Sequence, residues 1–114
     1  MSEIARIFHI AQSADILPLD QGKDYRCASL DTEGFIHCCD QRQLSGVVSR
    51  YYNENDAVQL MIIEVDKIEA PLILENTVGG AELFPHIYGP INASCIIDVV
   101  PFGIHSDERM GLFE

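Results

Sequence analysis

The chain has 114 residues, and seven Lys and Arg against eighteen Asp and Glu leave a formal net charge of −11. That balance argues against duplex nucleic acid as a partner, because neutralising phosphates takes clustered cations and the seven here are scattered from Arg6 to Arg109. With 47% hydrophobic and 22% charged residues, the composition is that of one globular domain over 1–114 rather than of a disordered acidic chain.

Within that domain the core is expected over about 4–101, with a polar tail at 102–114. There is no window of eighteen apolar residues, and Met1 to Ile10 lacks the basic start and long apolar stretch of a signal peptide. The expectation is a cytoplasmic protein that does not engage a membrane. Cys27, Cys38, Cys39 and Cys95 form no Cys-x-x-Cys pair, which fits reduced thiols. A chain this short leaves little room for an enclosed cavity, so any site is expected to be an open cleft.

The first element is a strand over Ile4 to Ile10, rich in β-formers, with His9 near its end. Ser13 to Gly22 has helical capping chemistry, but Pro18 removes an amide donor and restricts Leu17, so any helix there is very short or starts near the proline. Phe35 to Cys39 reads as a second strand entered through the Glu33-Gly34 turn. A helix follows at once. Asp40 and Gln43 have capping-box spacing, and Leu44, Val47, Val48 and Tyr51 give the apolar stripe, stopped by Asn53 to Asp56.

Val58 to Val65 is almost continuously apolar, as a central strand covered on both faces would be, and Pro71 to Glu75 is a shorter strand. From Asn76 to Pro90 the density of Gly and Pro predicts a long loop, interrupted by Phe84-Pro85-His86-Ile87-Tyr88. Ser94 to Val100 is the last strand. Five or six strands and one or two helices, not in strict alternation, define an α+β fold.

Three of the four histidines, His9, His37 and His86, lie in apolar, structured contexts. Any one of them alone reads as a packed side chain with a satisfied ring nitrogen; three in so small a domain suggest a shared site. A zinc site would draw on His37, Cys39, His9 and His86, but the usual ligand spacings are missing and no metal is assigned. A cysteine nucleophile at Cys38 would need its base from His9 or His86, since adjacent strand residues point to opposite faces. Of the carboxylates Glu33, Glu64, Glu75 and Glu82, Glu75 is the most suggestive: it ends a short strand facing the segment with His86 and Tyr88. Such a carboxylate accepts hydrogen bonds from a sugar or stabilises a developing cation, and turn capping explains it nearly as well.

The strings Phe8-His9-Ile10, Ser29-Leu30, Glu33-Gly34-Phe35-Ile36-His37-Cys38 and Phe84-Pro85-His86-Ile87-Tyr88-Gly89-Pro90, with Gln43 and Glu75, resemble the bacterial domain-of-unknown-function family nine-five-two. The likeness runs from about Ile4 to Pro101. It implies a fold similar to the ADP-ribosyltransferases, with split, bent β-sheets, a few helices and a nucleotide cleft between the halves. The implied ligand or substrate is NAD or a related nucleotide-like small molecule, with no separate cofactor. By position, the resemblance makes Glu75 and His37 the catalytic candidates. His9, Ser29, His86 and Tyr88 become the ligand-binding ones, with Tyr88 offering a stacking face. Arg6, Arg26 and Arg42 are the remaining candidates for a pyrophosphate clamp. The same residues also fit a non-catalytic module that binds a small ligand or a protein through this cleft.

Overall fold

The computed structural model describes residues 5–44, 46–47, 58–76 and 83–101. Among these residues six strands lie in two antiparallel three-stranded sheets. The first has β3 (Val58–Glu64) between β1 (Arg6–Gln12) and β6 (Ile96–Pro101); the second has β5 (Phe84–Ile87) between β2 (Ile36–His37) and β4 (Leu72–Glu75). A short helix, α1 (Ala28–Thr32), and 3-10 turns at Ser13–Gln21, Val65–Lys67 and Ala93–Cys95 complete an α+β architecture.

The apolar run of β3 does take the central place, paired with β1 from Arg6↔Glu64 to Gln12↔Val58 and with β6 on its other edge. Both faces of this sheet are covered. Ile7, Ala11, Met61 and Ile63 pack on one side with Ile36 and Ile87 of the second sheet. Phe8, Ile10, Leu60 and Ile62 pack on the other with Cys39, Leu44 and Val47. Ile7, Ile36, Met61, Ile63 and Ile87 are fully buried, and each such side chain contributes roughly 1.5–3 kcal/mol.

Local chemistry sets the junctions. The capping box forms in both directions: the Gln43 amide donates to Asp40 Oδ1 and the Asp40 amide to Gln43 Oε1, each at 2.9 Å. Leu44, 46 and 47 are helical, and the predicted stripe residues Val48 and Tyr51, like the stop at 53–56, lie outside the described residues. Gly34 turns the chain from α1 into β2 with φ at +90°, a conformation that glycine adopts without steric cost.

Three expectations are corrected. His9 sits at the middle of β1, not near its end, because the strand runs on to Gln12. Ser13 to Gln21 is a 3-10 helix, whose short repeat places Pro18 without an α-helical ladder to interrupt. Phe84 to Ile87 is not a loop insertion but the central strand of the second sheet. Pro85 fits there because its carbonyl accepts from the Cys38 amide at 3.0 Å at the end of the ladder, and Cys39 then turns away to pair with Phe8. The tail at 102–114 lies outside the described residues.

Replacing Asp40 by Ala should lower stability by about 1 kcal/mol in urea unfolding, since it removes one half of the capping box. An unchanged midpoint would show that the box contributes nothing.

Candidate functional site

The two sheets meet along the free edge of β2. Phe8 and Cys39 exchange backbone hydrogen bonds at 2.8 Å, and next to them His9 Nδ1 lies 2.6 Å from the carbonyl oxygen of His37. A carbonyl only accepts, so Nδ1 carries the proton. Burial drives the His9 pKa down to about 4, which leaves the ring neutral and makes Nε2 the acceptor of the Tyr25 hydroxyl at 2.8 Å. Both ring nitrogens of His9 are thereby engaged within the protein. Burial likewise pushes the Tyr25 phenol up, so it remains a donor.

A cleft of about 420 Å³ opens beside this seam. Of the sequence candidates, His9, Ser29, His37 and His86 line it, with Phe8 and Phe84 as its aromatic walls. Among the described residues, its wall holds one carboxylate, Asp15, and no Lys or Arg. Arg26 instead pairs with Asp31 and Arg42 with Asp40, both at the surface, and Arg6 is exposed. None of the three proposed clamps reaches the cleft.

Glu75 and Tyr88 stand outside the wall but touch it through His86. Register places Ile73 opposite His86 and His37 opposite His86, so alternation puts Phe35, His37, His86, Tyr88 and Glu75 on one face of the second sheet. His86 Nδ1 donates to Glu75 Oε2 at 2.9 Å, and the Tyr88 hydroxyl donates to the same oxygen. The Tyr88 bond first, and the His86 bond second, hold the Glu75 carboxyl below its ordinary pKa; the same contact raises the Tyr88 phenol. Phe35 stacks on the His86 ring, centroids 4.2 Å apart and planes 18° from parallel.

His37 is at the rim, with Nε2 3.2 Å from both oxygens of Glu33. Ser29 Oγ donates to the Phe35 carbonyl at 2.8 Å and lies 3.4 Å from Cys27 Sγ, so α1 fixes the turn into β2. The thiol-based readings find no support in this environment: burial pushes Cys39 up to about 12 and Cys38 well above its ordinary range, disfavouring the nucleophilic thiolate. Among the described residues no three His, Cys, Asp or Glu are grouped to hold a metal ion.

Sequence reasoning missed Tyr25 and Asp15 as parts of the site, and left Phe35 without a role. Tyr25 stands alone between Gly22 and α1 with no periodic pattern around it, and Asp15 reads only as a capping residue. Phe35 did have a signal, since a residue two before His37 in a strand shares its face.

Fold and site together define a small α+β protein with a cleft where two antiparallel sheets meet. The chain belongs to the family described as Protein of unknown function (DUF952), which matches residues 10–99. The crystal structure of protein CC0527 from Caulobacter crescentus has a similar fold, with a TM-score of 0.74 and 20% sequence identity over 93% of this chain and 98% of that one. The solution structure of CC0527 agrees, with a TM-score of 0.72 and 24% identity over 90% and 89% of the two chains. No curated protein matches the chain. Among the described residues no helix is long and apolar enough to cross a membrane.

The buried neutral His9 makes stability depend on pH. Unfolded, the imidazole takes up its proton near its ordinary 6.5; folded, only near 4. Its contribution is therefore complete above about pH 6.5 and is lost as pH falls toward 4, at ~1.4 kcal/mol per pH unit and on the order of 3 kcal/mol in all. Urea unfolding of wild type and His9→Asn across pH 7.5 to 4 should show this slope only in wild type; equal slopes would remove His9 as its source.

Proposed function

We propose that the cleft binds the pyridinium-ribose end of NAD or of a related low-charge ribonucleotide, in a fold of the ADP-ribosyltransferase type. The observation that carries this reading is the composition of the wall among the described residues: aromatic side chains at Phe8, Tyr25 and Phe84, polar groups at Ser29, His37 and His86, one carboxylate at Asp15 and no Lys or Arg. An aromatic ring packs favourably against such side chains, and ribose hydroxyls find His37 and Ser29 as partners. A pyridinium carries a positive charge that Asp15 favours, whereas a pyrophosphate would meet no guanidinium among the described residues and would face the field of a chain at −11. About 420 Å³ suits this end of the molecule better than a whole dinucleotide.

The split into two sheets with a cleft at their junction supports the transferase-like reading. Within it, Ser29 and His37 contact the ligand, Glu75 acts on the cleft through its bond to His86 with Tyr88 behind it, and His9 holds the wall in place. One observation favours the non-catalytic alternative: Glu75 is not itself part of the wall, so the cleft could hold a ligand without turning it over.

Thermal shift and NMR titration with NAD, nicotinamide riboside, nicotinamide and ADP-ribose test this directly. Nicotinamide riboside and NAD should stabilise the protein and move the Ser29 and His37 resonances, with ADP-ribose weaker. If none of the four binds, the reading is wrong. Nicotinamide release from bound NAD separates enzyme from binding module.

A further inference from the structure

Of the two buried histidines among the described residues, His9 has both ring nitrogens bonded and His86 only one. Only 3% of its side-chain surface is exposed, and every degree of freedom of the ring is constrained. Nδ1 is held by Glu75, Glu75 by Tyr88, one ring face lies on Phe35, and the His37 ring meets it edge-on at 5.2 Å. Glu75 is kept ionised by these bonds, so it only accepts, and Nδ1 must carry the hydrogen. In the neutral ring the lone pair is then on Nε2.

Nε2 makes no hydrogen bond among the described residues, and no buried side-chain nitrogen or oxygen among them lacks a partner. The small exposed area of the ring therefore includes Nε2, on a residue that lines the cleft. A carboxylate-oriented imidazole with its free lone pair at a cleft is the arrangement of a general base.

We propose that His86 accepts the proton of a hydroxyl acceptor, water or an alcohol, with Glu75 and Tyr88 as positioning residues behind it. This rests on the ligand reading above and adds the second reactant. As the acceptor oxygen bonds to the anomeric carbon, its proton passes to His86 Nε2. The bond from that carbon to the pyridinium nitrogen breaks, and its electron pair leaves with neutral nicotinamide. His86 returns the proton to solvent. Neither oxidant nor metal is needed.

The test joins imidazole ¹⁵N NMR with nicotinamide release from NAD. Wild type should show a protonated Nδ1 and a pyridine-type Nε2 at His86. His86→Gln should retain ligand binding in thermal shift and lose release by about a hundredfold or more. Tyr88→Phe, which removes one hydroxyl and leaves the ring and fold in place, should lower kcat with KM unchanged and shift the His86 Nδ1 proton resonance. Ligand binding with release undiminished in His86→Gln, or with no release by wild type, overturns the proposal and leaves the binding reading standing. Should none of the compounds bind wild type, the binding reading falls, and an Nε2-protonated neutral ring at His86 would overturn the base assignment independently of any ligand.

Discussion

The bond from the His9 imidazole to the His37 carbonyl joins the two sheets at a point where backbone pairing alone cannot. β2 has only two residues, and one of its edges is occupied by β5. Its other edge would face the interior with an unpaired carbonyl, a cost of about 1–3 kcal/mol for a buried polar group. Phe8 satisfies Cys39 by backbone bonds, and the His37 carbonyl, two residues back, takes its hydrogen bond from a side chain of β1 instead. Histidine does this while accepting Tyr25 on its second nitrogen, so three segments distant in sequence share one ring.

That constraint explains why the cleft lies where it does. Since β2 leaves the second sheet at His37 and the chain pairs with the first at Cys39, the two sheets are joined at a narrow seam beside the core they share. The wedge between them is lined by side chains from both: Phe8 and His9 from one, His37 and His86 from the other. His9 and His86 are both buried, yet they are opposite in chemical state. One has each nitrogen spent on the protein; the other has a nitrogen fixed by a carboxylate and a second left over. Burial alone would not have told them apart, and the hydrogen-bond inventory of each ring does.

Much of the framework was legible because it is local. The run Val58 to Val65 could be recognised as a central strand from apolar continuity, and Asp40 with Gln43 as a cap from spacing, since both are fixed within a few residues. β5 was hidden because Gly79-Gly80, Pro85 and Gly89-Pro90 punctuate it like a loop, and a proline is tolerated in its centre only because the partner strand departs there. Of the site, Glu75, His86 and Tyr88 were visible as a strand end facing a neighbouring segment, but which atoms meet depends on cross-strand register. A one-residue slip would turn Glu75 and His86 to opposite faces. Tyr25 and Asp15 carry no sequence pattern at all, because their role is set by where the chain passes in space.

The charge of the chain acts on a ligand mainly through the few groups near the cleft. At physiological ionic strength exposed charges are screened beyond about 8 Å, and the cations Arg26, Arg42 and Lys67 are each beside a carboxylate of their own. Among the described residues, what a ligand meets at close range includes Asp15, hydrogen-bonded imidazoles and aromatic carbon, with no Lys or Arg. In such surroundings a phosphate loses its hydration without gaining a cationic partner, whereas a pyridinium loses less and gains a carboxylate. The acidity that argues against duplex nucleic acid thus bears on the proposed ligand in a more selective way: it favours the positively charged base-ribose end of a dinucleotide over its pyrophosphate.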